Sequence, residues 1–119
     1  MSQQSIMFLK AKRLALLGIK TARHLRIEAS ENDISRQLMR SITAPGALIA
    51  EATDCESAAD MHHKLGIALK ECRECQYWLE LLIACRILDA EALNEVLRLL
   101  NEVTAMLVAS RRTLKLRIK

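Results

Sequence analysis

The side chains in this sequence that could carry chemistry are a Cys72-x-x-Cys75 pair, His62-His63 with Asp60 nearby, Glu51, and bases concentrated towards both ends. The Cys-x-x-Cys spacing suits a zinc ligand pair or a dithiol. A closed zinc site takes four ligands, usually from two elements, and there is no second Cys-x-x-Cys. A redox pair belongs at a helix N-terminus, where the dipole lowers the thiol pKa. Cys72 and Cys75 fall instead midway along an apolar stripe of helical spacing. They are expected to pack as small apolar residues, with Cys55 and Cys85 also free thiols in a reducing, cytoplasmic setting. Adjacent helical residues point about 100° apart, so His62 and His63 cannot easily share a metal and are expected at the surface or an interface. Asp60 and His63 could face the same way, but a di-metal carboxylate bundle needs two Glu-x-x-His pairs, and the chain has none. Glu51, in Leu48-Ile49-Ala50-Glu51-Ala52, reads either as a general base or as the ion-pair partner of a base on a facing helix. No activated nucleophile or phosphate-cradling loop accompanies these groups. The expectation is no enzyme, no metal, no cofactor and no small-molecule substrate.

The charge is more informative. The net charge is +4, yet residues 1–28 hold six bases against one acid, and residues 105–119 hold five bases and no acid. The middle of the chain is correspondingly acidic. Lys10, Lys12, Arg13, Arg111, Arg112, Lys115 and Arg117 are the candidate nucleic-acid contacts, since clustered bases attract a polyanion through counterion release. The competing reading is a solvated basic tail, with Lys and Arg complementing a helix C-terminus. Phe8, Tyr77 and Trp78 are the only aromatics, so there is no stacking platform for single-stranded bases.

Those residues must be held by helices. The 119 residues are 51% hydrophobic but only 3% aromatic, with three Gly and one Pro. That shortage of turn residues argues against a many-stranded sheet, and the apolar content argues against disorder. Four amphipathic segments follow. The first, about Ser5 to Arg26, carries Met7, Ala11, Leu14, Gly18, Thr21 and Leu25 at steps of four and three. The second starts at the cap formers Ser30 to Asp33 and carries Ile34, Leu38, Ser41, Ile42, Leu48, Ile49 and Ala52; Pro45 within it predicts a kink. The third starts at Ser57, a cap, and runs Met61, Leu65, Ala68, Cys72, Cys75, Leu79, Leu82. The fourth follows Asp89 as N-cap and runs Leu93, Val96, Leu100, Val103, Leu107, Ser110, Leu114. Short links force antiparallel neighbours, giving one all-α domain over residues 1–119, an up-down-up-down four-helix bundle. The N-terminus lacks a signal-peptide pattern, and the longest apolar stretch, Leu79 to Leu88, contains Glu80 and Arg86 and is too short to span a bilayer. A soluble protein away from membranes is expected.

The helices carry more apolar residues than one seam needs. Ile67, Trp78, Leu81, Leu99 and Met106 lie outside the stripes, and the first segment adds Ile6, Phe8, Leu16 and Ile19. A surface helix buries a stripe roughly 100° wide, so the surplus predicts docking of further copies; the alternative is a monomer with a wide core.

Two stretches carry a resemblance. One is Gln37-Leu38-Met39-Arg40-Ser41-Ile42 continuing to Ile49-Ala50-Glu51-Ala52. The other is His63-Lys64-Leu65-Gly66-Ile67-Ala68-Leu69-Lys70-Glu71 with Glu74, Tyr77-Trp78-Leu79 and Leu81-Leu82. Together, over roughly Ile34 to Leu107, they resemble the bacterial four helix bundle proteins encoded in intervening sequences of 23S ribosomal RNA genes. The resemblance implies an up-down bundle assembled as a ring, a homopentamer. Accessory proteins of diversity-generating retroelements, a related branch, are pentameric, basic, and bind RNA and a reverse transcriptase. By analogy the expected function is an oligomer whose basic end binds RNA or a ribonucleoprotein; the alternative is an interaction or structural oligomer with no nucleic-acid role. The sequence departs from the family pattern at Leu48, where Asn is common, at Pro45, one position early, and in lacking an aromatic-rich start.

Overall fold

The computed structural model describes residues 2–118; Met1 and Lys119, the last base of the basic tail, lie outside them. It contains α1 (Gln3–Glu28), α2 (Asp33–Ala52), α3 (Ala58–Ala84) and α4 (Asn94–Lys115), with no strand among the described residues. Consecutive helices pack against one another, and α1 closes against α4, while the diagonal pairs do not meet. The result is the expected antiparallel four-helix bundle, 49 × 23 × 22 Å.

The predicted stripes form the core. Met7, Ala11, Leu14 and Leu25 of α1 meet Leu38, Ile42 and Ile49 of α2, Leu65, Cys72, Cys75, Leu79 and Leu82 of α3, and Leu100, Val103 and Leu107 of α4. One buried polar bond crosses between helices: Ser35 Oγ donates to the Ala22 carbonyl at 2.7 Å. Leu99, expected at an outer interface, is a correction. It is 3% exposed and belongs to the core, because α4 buries two adjacent positions, Leu99 and Leu100, between its neighbours.

The helix ends show where local chemistry differs from expectation. Ser57 caps α3 as predicted, its Oγ accepting from the Asp60 N–H at 3.1 Å. At α2 the cap is Glu31, whose carboxylate accepts from the N–H groups of Asp33 and Ile34. Asp89 accepts from the Glu91 N–H at 3.2 Å, but this closes a turn and α4 begins only at Asn94. Ser30 and Arg86 take left-handed backbone conformations, φ 54° and 61°, just beyond α1 and α3. The Glu31 N–H returns to the Leu25 carbonyl, so the chain reverses within four residues. Helix α2 runs unbroken through Pro45, which is buried. Its ring removes one donor, and the preceding turns are reinforced by Thr43, whose Oγ1 donates to the Met39 carbonyl at 2.7 Å.

Where α1 meets α2, Gly18 leaves no room for a side chain. A Cβ on Gly18 would stand 2.4, 2.6 and 2.8 Å from Cγ2, Cδ1 and Cγ1 of Ile42, which is itself fully buried. Glycine is required there for contact, not for turning. Gly18→Ala is expected to destabilise the fold: overpacking costs about 1–3 kcal/mol, more than the roughly 1 kcal/mol gained in helix propensity. In an Ile42→Ala background the crowding carbons are gone and the same change should become stabilising. Denaturant melts of the four variants would show this reversal of sign, and strict additivity would contradict it.

Candidate nucleic-acid interface

The antiparallel register divides the predicted basic cluster. It sets the second and third turns of α1 beside the acidic face of α4, where Lys10 Nζ pairs with Glu102 at 3.3 Å and Arg13 makes two bonds to Glu95 Oε1 at 2.9 and 2.6 Å. Arg98 joins the same carboxylates, 3.0 Å from Glu102. Lys10 and Arg13 are therefore neutralised along the α1–α4 seam and do not join the basic end. Lys12 is exposed on α1, away from the α3–α4 seam, and makes no ion pair among the described residues. Arg117 lies past the end of α4 and lines a separate, mostly apolar cleft with Met7, Met61, Leu65 and Leu114.

The remaining bases converge. An open groove of about 440 Å³ between α3 and α4 is lined by Arg111, Arg112 and Lys115 from α4, Arg73 and His62 from α3, and the apolar pair Leu69 and Val108. Among the described residues no carboxylate lines it. None of the four Arg and Lys side chains makes an ion pair among the described residues. Arg111 is anchored: its Nε donates to the His62 carbonyl at 3.2 Å. Gly66 makes that seat possible, since a Cβ there would lie 2.9 Å from Arg111 Nη2 and 3.1 Å from its Cζ and Nε. The guanidinium thus lies against the backbone of α3. The His62 imidazole is held below the ordinary histidine value by burial and by the positive charges of Arg111 and Lys115, with His63 adding to them.

Sequence reasoning found Arg111, Arg112 and Lys115 but missed Arg73 and His62. The signal was present: His62, Gly66, Leu69 and Arg73 are spaced four, three, four, one face of α3. It was hidden because the partner face comes from the other end of the sequence.

The other candidates resolve into structural roles. Cys72 and Cys75 are fully buried in the core, and burial pushes both thiols up to about 12. Glu51 is exposed and pairs with Lys64 at 3.2 Å, the ion-pair reading of this residue. His63 is exposed. Among the described residues no three His, Cys, Asp or Glu side chains gather as metal ligands, and no helix is long and apolar enough to cross a membrane. On the α2–α3 face Arg40 binds Glu74 and, at 3.4 Å, Glu71, while Trp78 Nε1 donates to Glu74 at 3.4 Å.

Of the predicted interface residues, Ile67 is exposed, whereas Trp78, Leu81 and Met106 are half-buried. Trp78 and Met106 pack against the core. The larger apolar exposure lies on α1, where Leu9, Leu16 and Ile27 are 49%, 54% and 66% exposed. With Lys20 and Arg23 they share one outward face.

The family model described as 23S rRNA-intervening sequence protein matches residues 3–109. Among solved structures, the chain is similar to a crystal structure from Bacteroides thetaiotaomicron VPI-5482, described as a protein with unknown function from the S23 ribosomal protein family. The two share 32% sequence identity with a TM-score of 0.90, over 93% of this chain and 99% of that one. No curated protein matches.

Thiol chemistry offers a direct check on the buried pair. Because the thiolate is the reactive form, a disulfide reagent at pH 8 should modify exposed Cys85 first and half-buried Cys55 more slowly. Cys72 and Cys75 should react only after denaturation. Rapid modification of all four in the native protein would contradict the packing described.

Proposed function

Since the chain belongs to the 23S rRNA-intervening sequence protein family, we propose that it is a non-catalytic, homo-oligomeric bundle that binds RNA through the α3–α4 groove. The observation that carries this reading is the convergence of Arg73, Arg111, Arg112 and Lys115 on one groove with no acid in its lining. Elsewhere on the surface Lys10, Arg13, Arg36, Arg40, Lys64 and Arg98 are paired with carboxylates. Unpaired cations held together repel one another, and a polyanion that displaces its counterions relieves the repulsion. The groove holds no Phe, Tyr or Trp, so its contacts are chiefly to phosphate and sugar. A ribonucleoprotein would be met through its RNA.

The oligomer rests on α1. Leu9, Leu16 and Ile27 make an apolar outward face interrupted by Lys20 and Arg23. A two-fold contact between such faces would set these bases against their own copies. A head-to-tail contact against a different face of the neighbour avoids that repulsion, and when it closes it makes a ring, the arrangement expected from the family resemblance.

RNA affinity, read by fluorescence anisotropy, should fall roughly 50- to 150-fold between 50 and 200 mM salt if the four cations each meet a phosphate. Arg111→Glu with Arg112→Glu should abolish binding, while Lys10→Gln with Arg13→Gln should leave it close to wild type. Affinity indifferent to salt and to the groove reversal would remove the RNA reading and leave an interaction oligomer. Leu9→Glu with Leu16→Glu should reduce the assembly to monomers in sedimentation velocity without unfolding it. A wild-type chain that sediments as a monomer at high concentration would end the oligomer proposal.

A further inference from the structure

We infer that the α3–α4 groove is a proton-linked phosphate site, in which His62 takes up a proton as a phosphate group enters. The inference rests on the RNA reading for its biological ligand, but its chemistry is that of the groove itself. Three features build it. The imidazole lies in the same groove as four permanent cations. The charged and titratable groups that act on it are Arg111 and Lys115 from α4 and His63 from its own helix. Arg73 and Arg112 complete the lining, and no carboxylate there offsets them.

The third feature is that Arg111, one source of the repulsion, is held beside the residue it acts upon. Arg111 is tied through Nε to the carbonyl of His62 itself and seated over Gly66. The side chain that disfavours the imidazolium is therefore fixed to the residue it acts upon. These surroundings favour the neutral imidazole, in line with the direction of its titration. A phosphate placed among these groups changes the sign of the local field. Its oxygens accept from the guanidinium and ammonium groups, and they favour a charged imidazolium that can also donate to them. By thermodynamic reciprocity, a ligand that raises the proton affinity of His62 is bound more tightly when the proton is present. Arg and Lys keep their charge across this range, so the response between pH 8 and 6 belongs to histidine.

The phosphate can come from within an RNA strand or from its end. A diester stays monoanionic over this range. A terminal monoester itself gains a proton near pH 6, which weakens it as pH falls. The two sources therefore give different pH profiles on the same groove.

The test has two arms. In the first, the His62 ring signals of the full chain are titrated by NMR with inorganic phosphate or with chloride at matched ionic strength. Phosphate should move the His62 midpoint upward and leave His24 in place. In the second, affinity for an RNA with a 5′-hydroxyl is measured from pH 7.5 to 6.0 at constant salt. It should tighten about fivefold, within the tenfold per pH unit that one linked proton permits. His62→Gln should flatten the profile and His63→Gln should keep it. An RNA carrying a 5′-phosphate that shows the same rise assigns the site to internal diesters, and one that rises less assigns it to the end; either supports a linked phosphate site. A His62 midpoint unmoved by phosphate, or a pH profile unchanged in His62→Gln, overturns the inference even where RNA still binds with steep salt dependence. A phosphate-shifted midpoint in a chain that binds no RNA keeps this inference and removes the RNA reading.

Discussion

The antiparallel register between neighbouring helices decides which charges on this molecule are neutralised and which are left exposed to a partner. Between α3 and α4, Arg111 near the end of α4 reaches the His62 carbonyl in the second turn of α3. The same kind of alignment between α1 and α4 puts Lys10 and Arg13 opposite Glu102 and Glu95. Register follows from the apolar stripes, because sliding one helix past another by a turn would pull core leucines out of contact. The surface charge pattern is therefore a consequence of the core. The bases of α1 nearest α4 meet acids, whereas those of the last turns of α4 share a groove with His62 and Arg73 and pair with no acid among the described residues.

A groove of like charges costs stability, and something has to hold it. Here the holding is done by backbone. Arg111 gives one donor to a helix carbonyl and lies over a glycine. Its position is set by the α3 main chain and not by a competing carboxylate, which leaves the charge available. Gly66 and Gly18 thus serve the same geometric end in different places. At Gly18 the missing Cβ admits an isoleucine and brings two helices together. At Gly66 it admits a guanidinium and places a cation. Neither glycine has a positive φ, so what matters is the absent volume and not conformational freedom.

Most of the fold was legible because it depends on short-range periodicity. The third segment shows this best: every residue of its predicted stripe from Leu65 to Leu82 is buried. The misreadings came where two local signals competed. Asp89 bonds the Glu91 N–H as an N-cap would, but the turn it opens becomes α4 only at Asn94, and Glu31 caps α2 in place of the expected Ser, Asn or Asp. Leu99 lies one position off the stripe, and its burial depends on how closely α4 nests between its neighbours. The site was only half legible. A count of bases along the sequence groups Lys10 with Arg13 and both with Arg111, yet the first two are quenched by acids some eighty to ninety positions away. It also overlooks Arg73, because a single base within an acidic middle segment carries no signal until the facing helix is known.

The placement of the two surfaces bears on how they would work together. In a square bundle α1 touches α2 and α4, and α3 is its diagonal opposite. A neighbour docked on the outward face of α1 therefore leaves the α3–α4 groove uncovered from that side. Four cations make a weak grip on a polyanion at physiological salt. Copies joined head to tail would present the same groove at regular intervals around one body. Once an RNA strand occupies one groove, the next is reached intramolecularly, and affinity rises without any new contact within a subunit. A shallow groove that reads only phosphate is then sufficient for firm binding, provided that the copies are held together by the apolar residues that the single bundle leaves exposed.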